Sequence, residues 1–330
     1  MAILVLGGAG YIGSHMVYEL INTGHDVVIA DNLSTGFLAA VPPQARFYHL
    51  DIRDGAALSA LFAQEKIDGV IHFAAYSQVG ESMNSPLKYY NNNLYGTMVL
   101  LETMQKYQVD KIVFSSSAAV YGEPEQMPIT ENSPTKPTNC YGETKLAMEK
   151  MMYWASQANG LHYVALRYFN ACGAHPTAQI GEAHNPETHL LPLVLQTAAG
   201  QRPKITIFGD NYPTPDGTCI RDYIHVCDLA QAHILALKYL MNGGTNEVFN
   251  LGNGVGFSVR QIIDAARQVT GQPIPAEIAA KRHGDPAQLI ASAEKAKQQL
   301  GWQPQYTNLA DIIATAWQWH RTHPNGYLAI

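Results

Sequence analysis

Ala2-Ile3-Leu4-Val5-Leu6 runs straight into Gly7-Gly8-Ala9-Gly10-Tyr11-Ile12-Gly13, and Asp26-Val27-Val28-Ile29-Ala30-Asp31 follows after one helix length of chain. The pattern predicts a strand, a glycine-rich turn, and an amphipathic helix with Tyr11, Ile12, His15, Met16 and Leu20 on its apolar face. Gly8, Gly10 and Gly13 fit G-x-G-x-x-G, and Gly7, Gly10 and Gly13 fit G-x-x-G-x-x-G. Small residues let the backbone turn tightly against a pyrophosphate, and the helix N-terminus offers free N–H groups and positive dipole. A glycine triad alone often does no more than close a turn. Here it lies between a strand and a helix, and Asp31 ends the next apolar run. An acid at that place accepts both ribose hydroxyls of NAD and repels the 2′-phosphate of NADP.

Further strand-like runs appear at Phe47–Leu50, Gly69–Phe73, Lys111–Ser115 and Tyr163–Arg167. Helical patterns separate them, including a long one that begins at Ser85-Pro86, read as N-cap and N1. Strands alternating with helices predict an α/β fold, a doubly wound (Rossmann) parallel sheet. Beyond Asn170, Gly, Pro, Asn and His cluster in 172–189 and 209–218. The reading is therefore a dinucleotide-binding domain over 1–170. A smaller substrate-binding lobe spans 171–330, with some of its segments returning to the first sheet. The 330 residues, 47% hydrophobic and 15% charged, suit a compact protein, and a net charge of −6 argues against nucleic-acid binding. Cys140, Cys172, Cys219 and Cys227 show neither metal spacing nor a disulfide framework, and no metal centre is expected. The opening apolar run is too short for a signal segment, and no stretch approaches a membrane span, so the expected location is cytoplasmic.

The chemistry centres on Tyr141-Gly142-Glu143-Thr144-Lys145. Residues i and i+4 share a helix face, so phenol and ammonium point into one site. Tyr107 and Lys111 match the same spacing but straddle a helix end and a strand, and should not converge. Upstream, Ser115-Ser116-Ser117-Ala118-Ala119-Val120-Tyr121-Gly122 sets a serine run at the carboxyl end of a predicted strand, where open α/β sheets bind ligands. An ammonium beside a phenol favours phenolate and lowers its pKa from about 10.

With these motifs the chain resembles the UDP-glucose 4-epimerases of the extended short-chain dehydrogenase/reductase family. The likeness extends through Asp31–Gly36, Asp51-Ile52, His72–Ala75, Val79–Ser82, Tyr89–Asn93, Arg167–Asn170, Arg221–Val226 and Arg282–Asp285. It implies an isomerase with tightly held NAD. Tyr141 takes the proton from the sugar 4-hydroxyl, Ser117 hydrogen-bonds O4, and Lys145 binds the nicotinamide ribose. Cofactor contacts are implied for Gly7, Gly10, Tyr11, Ile12, Gly13, Asp31, Asn32, Ser34, Thr35 and Gly36. Asp51 and Ile52 are implied at the adenine, and Phe73, Ala74, Ala75, Ser77, Asn92, Ser115 and Tyr168 along the rest of the dinucleotide. On the substrate side the resemblance implies Asn170 at the sugar and Arg221 and Arg282 at the two phosphates. It adds Asp285 at the ribose, Leu190, Ile207 and Phe208 around the uracil, and Tyr223 and His189 nearby. The partners implied are UDP-glucose and UDP-galactose, together with a second copy of the chain. The homodimer would form through the Met83–Gln108 and Tyr141–Asn159 stretches.

Three departures stand out. Many relatives have Lys where this chain has Ser77. Some read Asn-Asn-Leu where it has Thr188-His189-Leu190, which leaves the role of His189 open. Leu289 falls where the size of the sugar pocket is gated, and leucine leaves UDP-N-acetylhexosamine use open. A nucleotide-sugar dehydratase would need an Asp-Glu pair where Ala118 and Ala119 stand, and neither alanine can move a proton. A decarboxylating relative fits the uridine-side motifs less well. A non-catalytic NAD sensor has no use for Tyr141, Lys145 and Ser117 together.

Overall fold

Every residue of β1 (Ala2–Leu6) is buried, as in a strand covered by helices on both sheet faces. The structure is a computed structural model describing residues 1–282 and 285–327. After β1 come α1 (Tyr11–Asn22), β2 (Asp26–Asp31), β3 (Arg46–His49), α2 (Gly55–Gln64) and β4 (Ile67–His72). Then follow α3 (Val79–Asn84), α4 (Pro86–Tyr89), α5 (Gly96–Lys106), β5 (Lys111–Ser115), α6 (Cys140–Asn159) and β6 (His162–Tyr168). The remainder contains β7 (Asn170–Cys172), α7 (Leu190–Ala198), β8 (Ile205–Phe208), β9 (Ile220–His225), α8 (Val226–Met241) and β10 (Glu247–Leu251). Last are β11 (Gly256–Ser258), α9 (Val259–Thr270), β12 (Ala276–Ala279), β13 (Gln288–Leu289), α10 (Glu294–Leu300) and α11 (Leu309–Thr322).

Seven parallel strands form the main sheet in the order β10-β6-β5-β4-β1-β2-β3. The six strands expected from the first 170 residues are all present, with ends shifted by at most one or two positions. β10 extends this sheet beyond β6, from far along the chain. One face buries Met16, Val17 and Leu20 of α1 against Leu229, Leu237 and Leu240 of α8. The other buries Leu58, Leu61, Leu100, Met104, Met148 and Met152, from α2, α5 and α6. The strand order reverses between β1 and β4, which opens a crevice at their carboxyl ends.

The long helix expected from Ser85 is not continuous. Pro86 occupies N1, but the Ser85 side chain makes no capping bond. A wider π turn over Tyr90–Tyr95 separates α4 from α5. Such turns shift the helix face by one residue and occur often at functional sites. Here Asn93 Nδ2 reaches Thr144 Oγ1 (3.1 Å) and the Tyr76 carbonyl (3.1 Å), and Asn93 Oδ1 accepts from Tyr76 N at 2.9 Å. That anchoring leaves neighbouring Asn92 facing the crevice.

The other strands build smaller sheets. β9 pairs with β7 and β13 in parallel and with β11 antiparallel, while β8 pairs with β12. Leu191, Val194, Ile262, Ile312 and Ile313 of α7, α9 and α11 close their core. Buried Asp222 ties this region together by accepting from the N–H groups of Asn253 (2.7 Å), Gly254 and Ala291 (both 3.1 Å). Among the described residues no helix is long and apolar enough to cross a membrane. Cys140, Cys172, Cys219 and Cys227 are all free.

Candidate active site

The crevice begins at the glycine turn. A Cβ on Gly13 would collide with the Gly7 carbonyl oxygen and lie 2.9 Å from Gly8 Cα, so only glycine lets α1 start this close to β1. Gly10 is the N-cap of α1, and no side chain occupies the helix end. Its free N–H groups suit an anion. Asp31 Oδ2 accepts from Ala9 N at 3.0 Å and Oδ1 from Leu33 N at 2.8 Å. Burial raises its pKa, and the bonds from Leu33 and Ala9 hold it back. The carboxylate thus both fixes the turn and borders the cavity.

Gly142 permits the second close approach. A Cβ there would strike Ala119 O and come within 2.9 Å of Ala119 C. α6 therefore starts directly against the 118–121 turn, which brings Tyr141 beside Ser117. Asn139 caps α6 by accepting from Gly142 N at 2.8 Å, and Tyr141 N donates to Ser82 Oγ at 3.1 Å. Burial pushes the Tyr141 phenol above its ordinary pKa, and a side-chain hydrogen bond with Ser117 draws it back. The sequence expectation was a phenol lowered by the ammonium. Lys145 Nζ instead donates to the Ser115 carbonyl at 2.7 Å and lies 4.9 Å from the Phe114 ring centre, against 5.8 Å from that of Tyr141. Burial pulls Lys145 down to about 7, with Glu149 pulling the other way.

Behind the serine run is a buried network that the sequence reading missed. Ser116 Oγ donates to Glu149 Oε1 at 2.5 Å, and Arg167 grips Glu149 through two bonds of 2.9 and 2.6 Å. Arg167 also reaches Tyr121 OH (2.9 Å), which donates to Asn250 Oδ1 (2.6 Å). Glu149 stands four residues after Lys145 on the same helix face, and that spacing was the available signal. Bidentate pairing with full satisfaction makes such a network rigid. It holds the serine run against α6.

One cavity gathers most of the expected residues. Gly7, Gly10, Tyr11, Ile12, Gly13, Asp31, Asn32, Ser34, Thr35, Ile52, Phe73, Ala74, Ala75, Ser77 and Asn92 line it. So do Ser115, Ser117, Tyr141, Lys145, Tyr168, Asn170 and His189. The remaining expected residues do not. Gly36 packs instead on the Ala9 backbone. Asp51 is held by Arg53 (2.7 Å) and Asn32 (3.0 Å). Ile207 and Tyr223 are only 4% and 5% exposed in the core of the smaller sheets, against which Leu190 also packs. Leu289 packs on Val120 and Tyr121. Arg221 pairs with Asp285 at 2.5 Å, and the Arg282 guanidinium stacks 3.9 Å above the Phe208 ring. Tyr107 and Lys111 stay apart from the cavity, and Lys111 pairs with Asp110. His225 caps α8 by accepting from Cys227 N at 3.1 Å.

The sequence reading also missed Tyr76, Glu182 and His184 on the cavity wall. Tyr11 OH donates to the Gly173 carbonyl at 2.6 Å, and its ring meets His184 edge-on at 6.0 Å. His184 and His189 both face Glu182 and Glu187. Burial opposes their charge, but bonds to those carboxylates outweigh it and push the two rings up to about 9 and about 10.

From helix N-terminus to Lys145, the cavity offers an anion seat, the Asp31 carboxylate beside it, and a phenol–hydroxyl–ammonium group. The donor set and the glycine cradle fit NAD. Residues 3–252 match the NAD dependent epimerase/dehydratase family. The chain is 59% identical to a UDP-glucose 4-epimerase of Lacticaseibacillus casei over 99% of both chains. A crystal structure of a UDP-glucose 4-epimerase superposes with a TM-score of 0.98 at 59% identity, covering 100% of each chain. That of the Bifidobacterium longum enzyme in complex with NAD+ and UDP superposes with a TM-score of 0.94 at 41% identity, covering 99% of this chain and 100% of the other.

Proposed function

The chain belongs to the NAD dependent epimerase/dehydratase family, and from that premise we propose that it interconverts UDP-glucose and UDP-galactose. The observation that carries this reading is the meeting of Tyr141, Ser117 and Lys145 on one cavity with the glycine cradle and Asp31. Ala118 and Ala119 leave no second acid–base pair beside them, which favours epimerisation over dehydration.

NAD, when bound, supplies the hydride acceptor and donor for sugar C4 and a positive ring charge. Tyr141 removes the proton from the 4-hydroxyl and later returns it to O4, after the 4-keto sugar has turned to present the opposite face of C4. Ser117 hydrogen-bonds the same oxygen and fixes its distance from the phenol. Lys145, anchored by the Ser115 carbonyl, has further N–H groups with which to orient the cofactor ribose. Asn170 gives one Nδ2 hydrogen to the Asp222 carbonyl at 2.9 Å and keeps its amide oxygen and second N–H for the sugar. Arg221 and Arg282 approach the diphosphate, for which guanidinium forks are suited. Asp285 holds Arg221 ready until the substrate ribose competes for it.

The test needs no added cofactor. Purified protein should release NAD on acid treatment and convert UDP-galactose to UDP-glucose unaided; protein carrying NAD yet inert towards both sugars would overturn the reading. Exchange of Asp31 for Ala should raise the Kd for NAD by about tenfold to a hundredfold, the worth of a charge-assisted bond pair. Fluorescence titration of NAD-stripped protein measures it, and an unchanged Kd removes the ribose role.

We place the enzyme in the cytoplasm as a homodimer. The outer faces of α5 and α6 support the pairing: Met98 and Trp154 are 41% and 68% exposed and stand over a groove shared with Leu101 and Met151. Exposed apolar patches of this kind mark association surfaces. Light scattering should give twice the 36.1 kDa of one chain, and Trp154→Glu should return it to monomer.

A further inference from the structure

Glu182, His184, Glu187 and His189 fall within eight residues of chain, and one donor atom from each lies within 4.8 Å of all the others. His184 Nδ1 is 3.1 Å from Glu182 Oε1 and 3.5 Å from Glu187 Oε2. His189 Nδ1 is 3.1 Å from Glu182 Oε1 and 2.8 Å from Glu187 Oε1. Tetrahedral coordination with bonds of about 2.0–2.2 Å spaces neighbouring ligand atoms about 3.3–3.6 Å apart. The four nitrogen–oxygen separations run from 2.8 to 3.5 Å, at or somewhat below that spacing.

Two observations point to a cation site. His184 Nδ1 is buried and makes no hydrogen bond, although carboxylate oxygens surround it. Second, the Glu182 and Glu187 side chains are only 5% and 6% exposed, and no Lys or Arg among the described residues pairs with either. Two buried carboxylates need two positive charges. The two imidazolium rings supply them without metal; one divalent ion with two neutral imidazoles supplies the same charge and releases two ring protons on binding.

We propose that Glu182, His184, Glu187 and His189 bind one divalent cation of the zinc class, which fastens the Gly173–His189 loop onto the glycine turn of the NAD cavity. Two nitrogens and two oxygens suit zinc or cobalt; calcium and magnesium prefer all-oxygen shells of six or more ligands. The set is closed, with four protein ligands, which marks a structural site. An outer shell already orients it: Glu187 Oε1 accepts from Thr188 N (2.7 Å) and His189 N (2.8 Å). Tyr11 connects the site to the cofactor side through its edge contact with His184 and its bond to the Gly173 carbonyl. The ion takes no part in the chemistry at C4, so this proposal does not stand or fall with the catalytic reading.

The experiment uses the full chain, stripped with chelator and titrated with zinc or cobalt alone. Expected are one ion per chain retained through gel filtration, an intense visible Co²⁺ spectrum of tetrahedral type without thiolate bands, and a higher Tm in the loaded form. The double exchange His184→Gln, Glu187→Gln should weaken binding by at least about a hundredfold. Should that variant fail to fold, the single exchange Glu187→Gln serves, with the Co²⁺ spectrum of the unaltered chain as the primary readout. Thiolate bands, unaltered affinity in the variants, or no ion bound at micromolar zinc would each overturn the site. In the last case ring protonation followed by NMR would show two imidazolium ions in its place.

Discussion

Tyr141→Phe should lower kcat for UDP-galactose by roughly 10²–10⁴-fold, the usual worth of a positioned acid–base group, while NAD content per chain stays unchanged. Phenylalanine fills the same volume, and the backbone anchors of this position, Ser82 Oγ and the Asn139 cap, do not involve the hydroxyl. What disappears is the group that exchanges a proton with O4. Ser117 cannot take over, because its oxygen already accepts from Ala119 N at 3.1 Å and a serine hydroxyl is a far weaker acid. KM should move little, since binding lies with the uridine diphosphate. The measurement pairs a steady-state epimerisation assay with acid release of NAD from the same preparation. Retained kcat would remove Tyr141 from its role; lost NAD would make it a packing residue.

The second large effect is acid lability. His15, His72, His225 and His233 are fully buried, and burial pulls the first three down to about 3 and the last to about 4. Their bonding shows why. His15 and His233 give Nδ1–H to the Tyr11 and Leu229 carbonyls, both at 2.8 Å, and leave Nε2 without a partner. His72 faces Thr97 Oγ1 through Nε2 and leaves Nδ1 bare. His225 needs an unprotonated Nδ1 to cap α8. A second proton on any of them would be an unpaired buried charge. The unfolded chain binds protons below about pH 6.5 while the folded one does not, so this stability is present above 6.5 and lost as pH falls towards the folded values. Each ring contributes about 1.4 kcal/mol per pH unit. Asp222, which burial raises to about 6, takes up its proton in the folded state and offsets one of them. The remainder, about 4 kcal/mol per pH unit, compares with a total stability of about 5–15 kcal/mol. Denaturant titrations at pH 7, 6 and 5 should show the unfolding free energy dropping steeply, with cooperative acid unfolding above pH 4. A flat profile between pH 7 and 5 would contradict it.

The main sheet was legible because its strands are short apolar runs bounded by helices, and their period does not depend on distant partners. β5 fell on Lys111–Ser115 as expected. The π turn at Tyr90–Tyr95 was not legible, since it is set by Asn93 meeting Thr144 and Tyr76 across the fold. Tyr141, Lys145 and Ser117 were found through helix spacing and a strand end, but the sign of the phenol shift was not. Spacing gives proximity, whereas desolvation depends on everything packed around the group. The burial of Ile207 and Tyr223 was not legible for the same reason, because an apolar residue in a strand does not declare which layer will cover it. Glu182, His184, Glu187 and His189 lie close together in sequence, yet their spacing matches none of the cysteine-based patterns that usually advertise a metal.

The position of β10 bears on how the polypeptide is made. β6 ends at Tyr168, and the strand that shields its open edge does not begin until Glu247. α8, which blankets one side of the same sheet, begins only at Val226. While the ribosome adds the intervening residues, the half-built sheet exposes an unpaired rim and a greasy flank, the features that recruit chaperones and seed aggregation. The edge of β6 is therefore covered only once the chain has been made through Leu251 and that segment is free to fold.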